Sequence, residues 1–202
     1  MTSLLMRSVG NQYALDLQLH CSTAPSNSAL STWEMTLEAT PRQRTESFIL
    51  ATATAHTVNL AEHGAEEAFA ALSGHSPAMQ ELAEITHTIW GKRIMLIAGD
   101  TVEIHEDYRG LGIGPLLAAD ILPRLGGDDY VSVLLAAPLD SDDLDIGDWS
   151  GASKSIGSAW SHTGFKPILG GYHYLTSDTL SIAGSGENFR NRSVTSAMEA
   201  TA

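Results

Sequence analysis

Apolar and polar residues alternate along the first third of the chain. Leu15, Leu17 and Leu19 occupy every second position, and side chains two apart share one face of a strand, so a half-buried strand is predicted. The same alternation, followed by a long β-branched and apolar stretch, predicts three successive strands: 12–21, 33–38 and 46–60. Turn-forming residues separate these stretches, so consecutive antiparallel strands are the simplest interpretation.

Apolar residues then recur every three or four positions, which is typical of helices. The predicted helices are 65–72, a second one that starts at Pro77 behind the cap Ser76, 112–125, and 152–162. The predicted strands between and after them are 92–104, 130–137, 166–169 and 171–176. Gly74 is expected to break the first helix, and Gly99-Asp100 is expected to kink the fourth strand.

The resulting order of elements, β-β-β-α-α-β-α-β-α-β-β, predicts an α+β (α/β) fold. Its sheet is expected to be mixed and mostly antiparallel, with helices on its faces. We expect one domain over 1–178, made of N-terminal strands in 10–62, helices in 63–90 and a second half in 91–176. Residues 179–202 are small and polar without periodicity, so a flexible tail is expected.

Charge and cysteine content narrow the range of functions. Among 202 residues, 24 acidic and 11 basic side chains give a formal net charge of −13, which argues against binding nucleic-acid backbones or anionic membranes. The single cysteine, Cys21, excludes an internal disulfide and fits a reducing compartment. No signal peptide pattern and no apolar run of membrane-spanning length is present, so a cytoplasmic location is expected.

A strand, a glycine-rich turn and a helix follow one another between 102 and 114. Gly110, Gly112 and Gly114 let backbone N–H groups converge without intervening side chains. The helix start adds unpaired donors and the positive end of the helix dipole. This arrangement predicts a cradle for phosphate or pyrophosphate, with Arg109 as a positive charge at its rim.

The known phosphate-binding patterns differ in how well they fit. No P-loop lysine follows the glycines, and Pro115 stands where a dinucleotide-binding GxGxxG pattern has its last glycine. The stretch from Arg109 to Gly114 fits a third pattern: Arg or Gln, two variable residues, Gly, one variable residue, then Gly or Ala. In this it resembles the acetyl-CoA pyrophosphate loop of the GNAT superfamily of N-acetyltransferases.

Neighbouring stretches extend the resemblance, which covers about 92–176. Residues 104–110 are similar to the family's V-x-P-x-Y-R-G approach, with Glu106 in place of the proline. Residues 159–165 are similar to its L-Y-x-x-x-G-F signature, matched outright in the final Gly-Phe pair. In the family, two helices follow the first strand, whereas here they are predicted after the third. This departure points to a variant subfamily or an altered acceptor site.

The resemblance implies the GNAT fold, acetyl-CoA or another acyl-CoA as co-substrate, and an amine-bearing acceptor. It implies that Arg109, Gly110, Leu111, Gly112, Ile113 and Gly114 hold the pyrophosphate, and that Ser153 lies near the coenzyme. The family's oxyanion donor is a backbone N–H of the fourth strand, which by position is that of Ile104. Candidate bases for the attacking amine are Glu103 first, then His105, with Asp100 nearby; a water or an acceptor-site residue is the alternative.

The thiolate leaving group presents a difficulty. Trp160 stands where the family has a tyrosine general acid, and an indole N–H can donate only a hydrogen bond. Tyr130, Tyr172 or a water is left to supply the proton. A non-catalytic acyl-CoA-binding module, acting as a sensor or scaffold, is therefore the rival hypothesis, and a different α/β fold with a mere tight turn is a third.

The remaining patterns have less specific interpretations. No metal site is expected: His56, His63 and the Glu84/His87 pair are interpreted as surface or helix-end residues. The aspartates between 140 and 148 are read either as a solvated loop or as an attraction for a cationic acceptor. No nucleic-acid or membrane partner is expected, and a homodimer is one assembly that the prediction allows.

Overall fold

The computed structural model describes residues 13–23, 29–43, 45–86, 89, 93–136, 146–169 and 171–179. Within these ranges the chain forms seven strands and four α-helices. The strands are β1 (Tyr13–Thr23), β2 (Leu30–Pro41), β3 (Phe48–Asn59), β4 (Met95–Ile104), β5 (Tyr130–Leu135), β6 (Lys166–Pro167) and β7 (Tyr172–Thr176). The helices are α1 (Leu60–His75), α2 (Pro77–Thr86), α3 (Ile113–Gly126) and α4 (Ile146–Ser161). Short 3₁₀ turns cover Glu106–Tyr108 and Ser177–Thr179.

All seven strands join one sheet in the order β1-β2-β3-β4-β5-β7-β6. Every neighbouring pair is antiparallel except β4 and β5, which run parallel. A parallel pair needs a crossover connection, and α3 supplies it. The predicted order of elements, the α+β class and the mostly antiparallel mixed sheet are confirmed.

The sheet buries an apolar core on each face. On one face α3, with Trp160 of α4, packs against the alanines of β3 and the leucines of β1 and β2. On the other face α1 and α2 pack against β3, β4 and β5. The glycine-rich turn connects the end of β4 to the start of α3 and so lies at the edge of the face that α3 covers.

Helix α1 begins five residues before the predicted start. The side chain of Asn59 accepts hydrogen bonds from the N–H groups of Ala61 (3.1 Å) and Glu62 (3.2 Å) and so caps the helix. Gly64 then adopts φ 77°, ψ 169° and kinks it. The expected break at Gly74 is wrong: the helix continues to His75, since a glycine near a helix end costs only about 1 kcal/mol and the chain turns at Ser76 and Pro77.

Other boundaries also moved. The turn predicted for 22–31 is shorter, because β1 runs to Thr23 and β2 starts at Leu30. Helix α4 starts at Ile146, inside the stretch predicted as an acidic loop. The rest of that loop (138–145), the last residue of the strand predicted for 130–137 and the predicted tail from 180 onward lie outside the described residues. No helix in the described part of the chain is long and apolar enough to cross a bilayer.

Candidate functional site

A cleft opens where β4 and β5 part. Their parallel pairing ends at Ala98 and Val133, although β4 continues to Ile104. At Gly99 the strands still touch, since a Cβ there would lie 3.1 Å from the Cβ of Leu134. Beyond it the strands diverge and bound a cleft of about 1360 Å³, which is large for a small-molecule site.

A β-bulge causes the divergence. Thr54 of β3 pairs with Thr101, but the next residue, Ala55, pairs with Gly99. Asp100 is therefore the extra residue of β4, and such an insertion bends and twists the strand that carries it. The predicted kink at Gly99-Asp100 is confirmed in this form.

The glycine-rich turn forms one end of the cleft. Gly110 and Gly112 both have φ 76°, a left-handed conformation that other residues adopt only at a cost. Gly112 is also the N-cap of α3 and provides no side-chain hydrogen bond to the helix start. The N–H groups of Ile113 and Gly114 are thus left as donors at the positive end of the helix dipole, and both residues line the cleft.

Positive charge gathers at this end. Arg109 lines the cleft, and its Nε donates to the carbonyl of Ile104 (3.1 Å), which leaves the two terminal nitrogens of the guanidinium for a ligand. Lys154 of α4 also lines the cleft. An anion at the turn would therefore meet backbone donors and the Arg109 guanidinium, as a phosphate site requires.

The backbone N–H of Ile104 is directed to the gap. The N–H of His105 donates to the carbonyl of Leu50 across β3 (3.0 Å), and hydrogen-bonded and non-hydrogen-bonded pairs alternate along an antiparallel ladder. The next pair, Ala51 with Ile104, is therefore non-hydrogen-bonded, so Ile104 turns its N–H and carbonyl away from β3. A donor there, in the wall of the cleft, can stabilise a developing oxyanion.

Two of the three predicted bases line the cleft. Asp100 and Glu103 both form part of its wall beyond the bulge, at the end of β4 that precedes the turn. The Oδ2 atom of Asp100 lies 3.7 Å from Nε2 of His56. That imidazole lowers the pKa of the Asp100 carboxyl below its usual value, against the opposing effect of partial burial. Asp100 is therefore ionised at neutral pH.

Two predicted site residues are placed elsewhere. His105 does not line the cleft: its Nδ1 accepts from the N–H of Asp107 (3.4 Å), and its ring packs edge-on against Phe48 and Tyr108. Ser153 does not line it either, because its hydroxyl donates to the carbonyl of Ala136 (2.7 Å) and ties α4 to the end of β5. The next residue, Lys154, faces the cleft instead.

The three aromatic residues considered for thiolate protonation differ in position. Trp160 is 7% exposed and packs edge-on against Phe165, with its ring 3.6 Å from where a Cβ of Gly114 would lie. Tyr130 pairs with Met95 at the far end of the parallel strands, about 30 Å along β4 from Ile104. Tyr172 pairs with Leu135 but does not line the cleft. It packs in the core that α1 and α2 cover, and its pKa is raised to about 12, mainly by burial.

His56, which lies behind Asp100, was misjudged from sequence. It is not a surface residue: it is 2% exposed in β3, and its Nδ1 is 3.0 Å from Oγ1 of Thr32. His75, at the end of α1, packs edge-on against it with ring centroids 4.2 Å apart. The one local signal was the position of His56 within the largely apolar and β-branched stretch of β3. Within the described ranges, no group of three or more His, Cys, Asp or Glu is placed to hold a metal ion.

The chain matches no protein-family model and no curated protein sequence. The function therefore has to be argued from the cleft itself.

Proposed function

We propose that the protein is an acyl-CoA-dependent N-acyltransferase with a GNAT-like site, which transfers an acetyl or other acyl group to an amine. The observation that carries the proposal is the pair of left-handed glycines before an uncapped helix, opening onto the gap between two diverging parallel strands. A pyrophosphate bound at 109–114 would direct the pantetheine arm into this gap, where the N–H of Ile104 is available to the thioester oxygen.

The reaction can be balanced with groups that line the cleft. The amine nitrogen forms a bond to the thioester carbonyl carbon, and its proton passes to a carboxylate, Asp100 or Glu103. The N–H of Ile104 stabilises the oxyanion of the tetrahedral intermediate. The C–S bond then breaks, and the CoA thiolate takes a proton from water, because Tyr172 is 2% exposed and packs in the core on the other face of the sheet.

The second candidate function is a non-catalytic module that binds acyl-CoA. The packing of Trp160 supports it, because the indole fills the position of the family's general acid and is wedged between Gly114 and Phe165. A residue buried in this way supports the coenzyme turn without taking part in proton transfer.

Binding and turnover separate these candidates. Titration calorimetry should show 1:1 binding of CoA and acetyl-CoA, and release of CoA should follow when butylamine, 1,4-diaminobutane or a lysine-containing peptide is added. Product formation is best followed by mass spectrometry, because the exposed thiol of Cys21 reacts with thiol-detecting dyes. Binding without turnover of any amine supports the module, and no binding overturns both candidates and leaves the glycines as a tight turn.

A further inference from the structure

His56 is a polar side chain buried inside the sheet. Its neighbours are the hydroxyl of Thr32 from β2, Asp100 from β4 and His75 from α1. The Thr32 hydroxyl is hydrogen-bonded to Nδ1 of His56, whereas Nε2 has no hydrogen-bond partner among the described residues. A buried nitrogen without a partner is destabilising, so its placement calls for an explanation.

Nε2 faces the carboxylate of the bulge residue. The distance of 3.7 Å to Oδ2 of Asp100 is that of an ion pair and slightly too long for a hydrogen bond. When the Thr32 hydroxyl donates to Nδ1, the ring proton lies on Nε2 and points at the Asp100 carboxylate. Asp100 has no pairing partner on β3 because it is the inserted residue of the bulge. The contact with His56 therefore holds the Asp100 side chain in place, which strand pairing does not do at this position.

The carboxylate is shared between His56 and the cleft. Its side chain keeps 35% of its surface exposed, against 1% for His56, and Asp100 belongs to the cleft wall. His75, on the other side of His56, has its pKa lowered by burial and by the charge of His56, while Asp100 acts in the opposite direction. The titratable groups that face His56 are thus Asp100 and His75.

We propose that Asp100 binds the amino group of the acceptor and takes its proton as the C–N bond forms, and that His56 is the positioning residue that holds this carboxylate at the cleft wall. The acceptor class is an alkyl amine, which is cationic at neutral pH and is attracted by an ionised carboxylate. The bound ammonium first releases one proton to water, because only the neutral amine has the lone pair that attacks the thioester carbonyl. As the C–N bond forms, a second N–H bond breaks and an O–H bond forms on Asp100, and Asp100 releases this proton to water when the amide product leaves. The acceptor chemistry rests on the proposed acyl transfer; the Asp100–His56 pairing does not.

Glu103 is the competing base. It also lines the cleft, but its side chain is exposed on the strand and pairs across β3 with Thr52. Asp100 differs in having a buried donor behind it. The two carboxylates can therefore be distinguished by whether catalysis depends on His56.

The test compares five variants with the wild type, using 1,4-diaminobutane and the lysine-containing peptide as acceptors. Asp100→Asn and His56→Leu should each lower kcat/KM by about 100-fold, the lower end of the range for a lost general base, while the Kd for CoA changes less than twofold. His56→Gln keeps an N–H near the position of Nε2 and should remain within about tenfold of wild type. His63→Gln is the control, because His63 lies on α1 and pairs only with Glu67 (3.2 Å).

A second readout is independent of activity. Carbon-13 carboxyl NMR, with Asp100 assigned through Asp100→Asn, should show the pKa of Asp100 rising in His56→Leu and staying low in His56→Gln. An unchanged pKa in His56→Leu refutes the positioning role, and a large loss of kcat/KM in Glu103→Gln but not in Asp100→Asn refutes Asp100 as the base. If the wild type does not bind CoA, the proposed function fails while the NMR titration still decides whether His56 sets the charge of Asp100.

Discussion

Replacing Gly112 with alanine separates the cost of backbone strain from the loss of a ligand site. Gly112 has φ 76° and ψ 19°, a left-handed conformation that costs a residue with a Cβ about 1–2 kcal/mol. For a chain of this size, each kcal/mol lowers the melting temperature by about 2–4 °C. Gly112→Ala should therefore melt roughly 2–8 °C below wild type.

The effect on the ligand should be larger than the strain suggests. Gly112 lines the cleft, and a methyl group there would stand beside the N–H groups of Ile113 and Gly114. Hydrogen bonds to a charged phosphate contribute about 1.5–3 kcal/mol each. The loss of one such bond would raise the Kd for CoA roughly tenfold to a hundredfold.

The matched control is Gly127→Ala at the other end of the same helix. Gly127 also has positive φ, 65°, and an added Cβ would meet nothing within 4 Å. It should lose at least as much stability in differential scanning fluorimetry and yet keep the wild-type Kd in titration calorimetry. A Gly112→Ala variant that binds CoA as tightly as wild type would show that the turn is not the pyrophosphate site.

Two further predictions concern packing and ionisation. Three of the five tyrosines should resist ionisation, since burial raises the pKa of Tyr130 and Tyr172 to about 12 and contributes most to the same value for Tyr108. Tyrosines of the unfolded chain ionise near pH 10, so the stability of the fold should decrease as the pH rises from 10 towards 12. Absorbance at 295 nm should show these phenols ionising together with unfolding rather than before it. Gly157→Ala should lower the free energy of unfolding by about 1–3 kcal/mol, as overpacking does, because its Cβ would lie 2.8 Å from the ring of His173. Gly151→Ala is the control, since an added Cβ there meets nothing within 4 Å. Equal denaturation midpoints for the two variants would contradict the predicted overpacking.

Local patterns were sufficient to predict the strands of the sheet and the glycine-rich turn. The alternation of Leu15, Leu17 and Leu19 predicted β1 because a strand's period is two. The glycines of 110–114 predicted the turn because left-handed backbone conformations leave a direct mark on residue type. The start of α1 was predicted too late, although Asn59 followed by Glu62 is a capping signal. Because the stretch before Asn59 is apolar, the preceding strand was predicted to continue to residue 60.

Contacts between distant residues could not be predicted from the sequence. Asp100 contacts His56 only because the pairing of β3 with β4 slips by one residue between Thr54 and Ala55, and the register of a pair depends on side chains from two separate stretches. The same slip starts the divergence of β4 from β5. His105 is a residue for which a local pattern was misleading. Strand alternation predicted that it shares a face with Glu103, but the strand ends at Ile104, and His105 instead caps the 3₁₀ turn that begins at Glu106.

The distribution of charge in the cleft gives the net charge of −13 a more specific meaning. Arg109 stands at the turn, while Asp100 and Glu103 stand further back along β4. In a cleft with low-dielectric walls such separated charges focus opposite potentials at the two ends. An anionic ligand and a cationic one are therefore both attracted, but to different ends, and the N–H of Ile104 lies on the stretch of β4 between them. A general excess of acid keeps cationic molecules near the protein, whereas Arg109 at the turn favours an anionic group at that end.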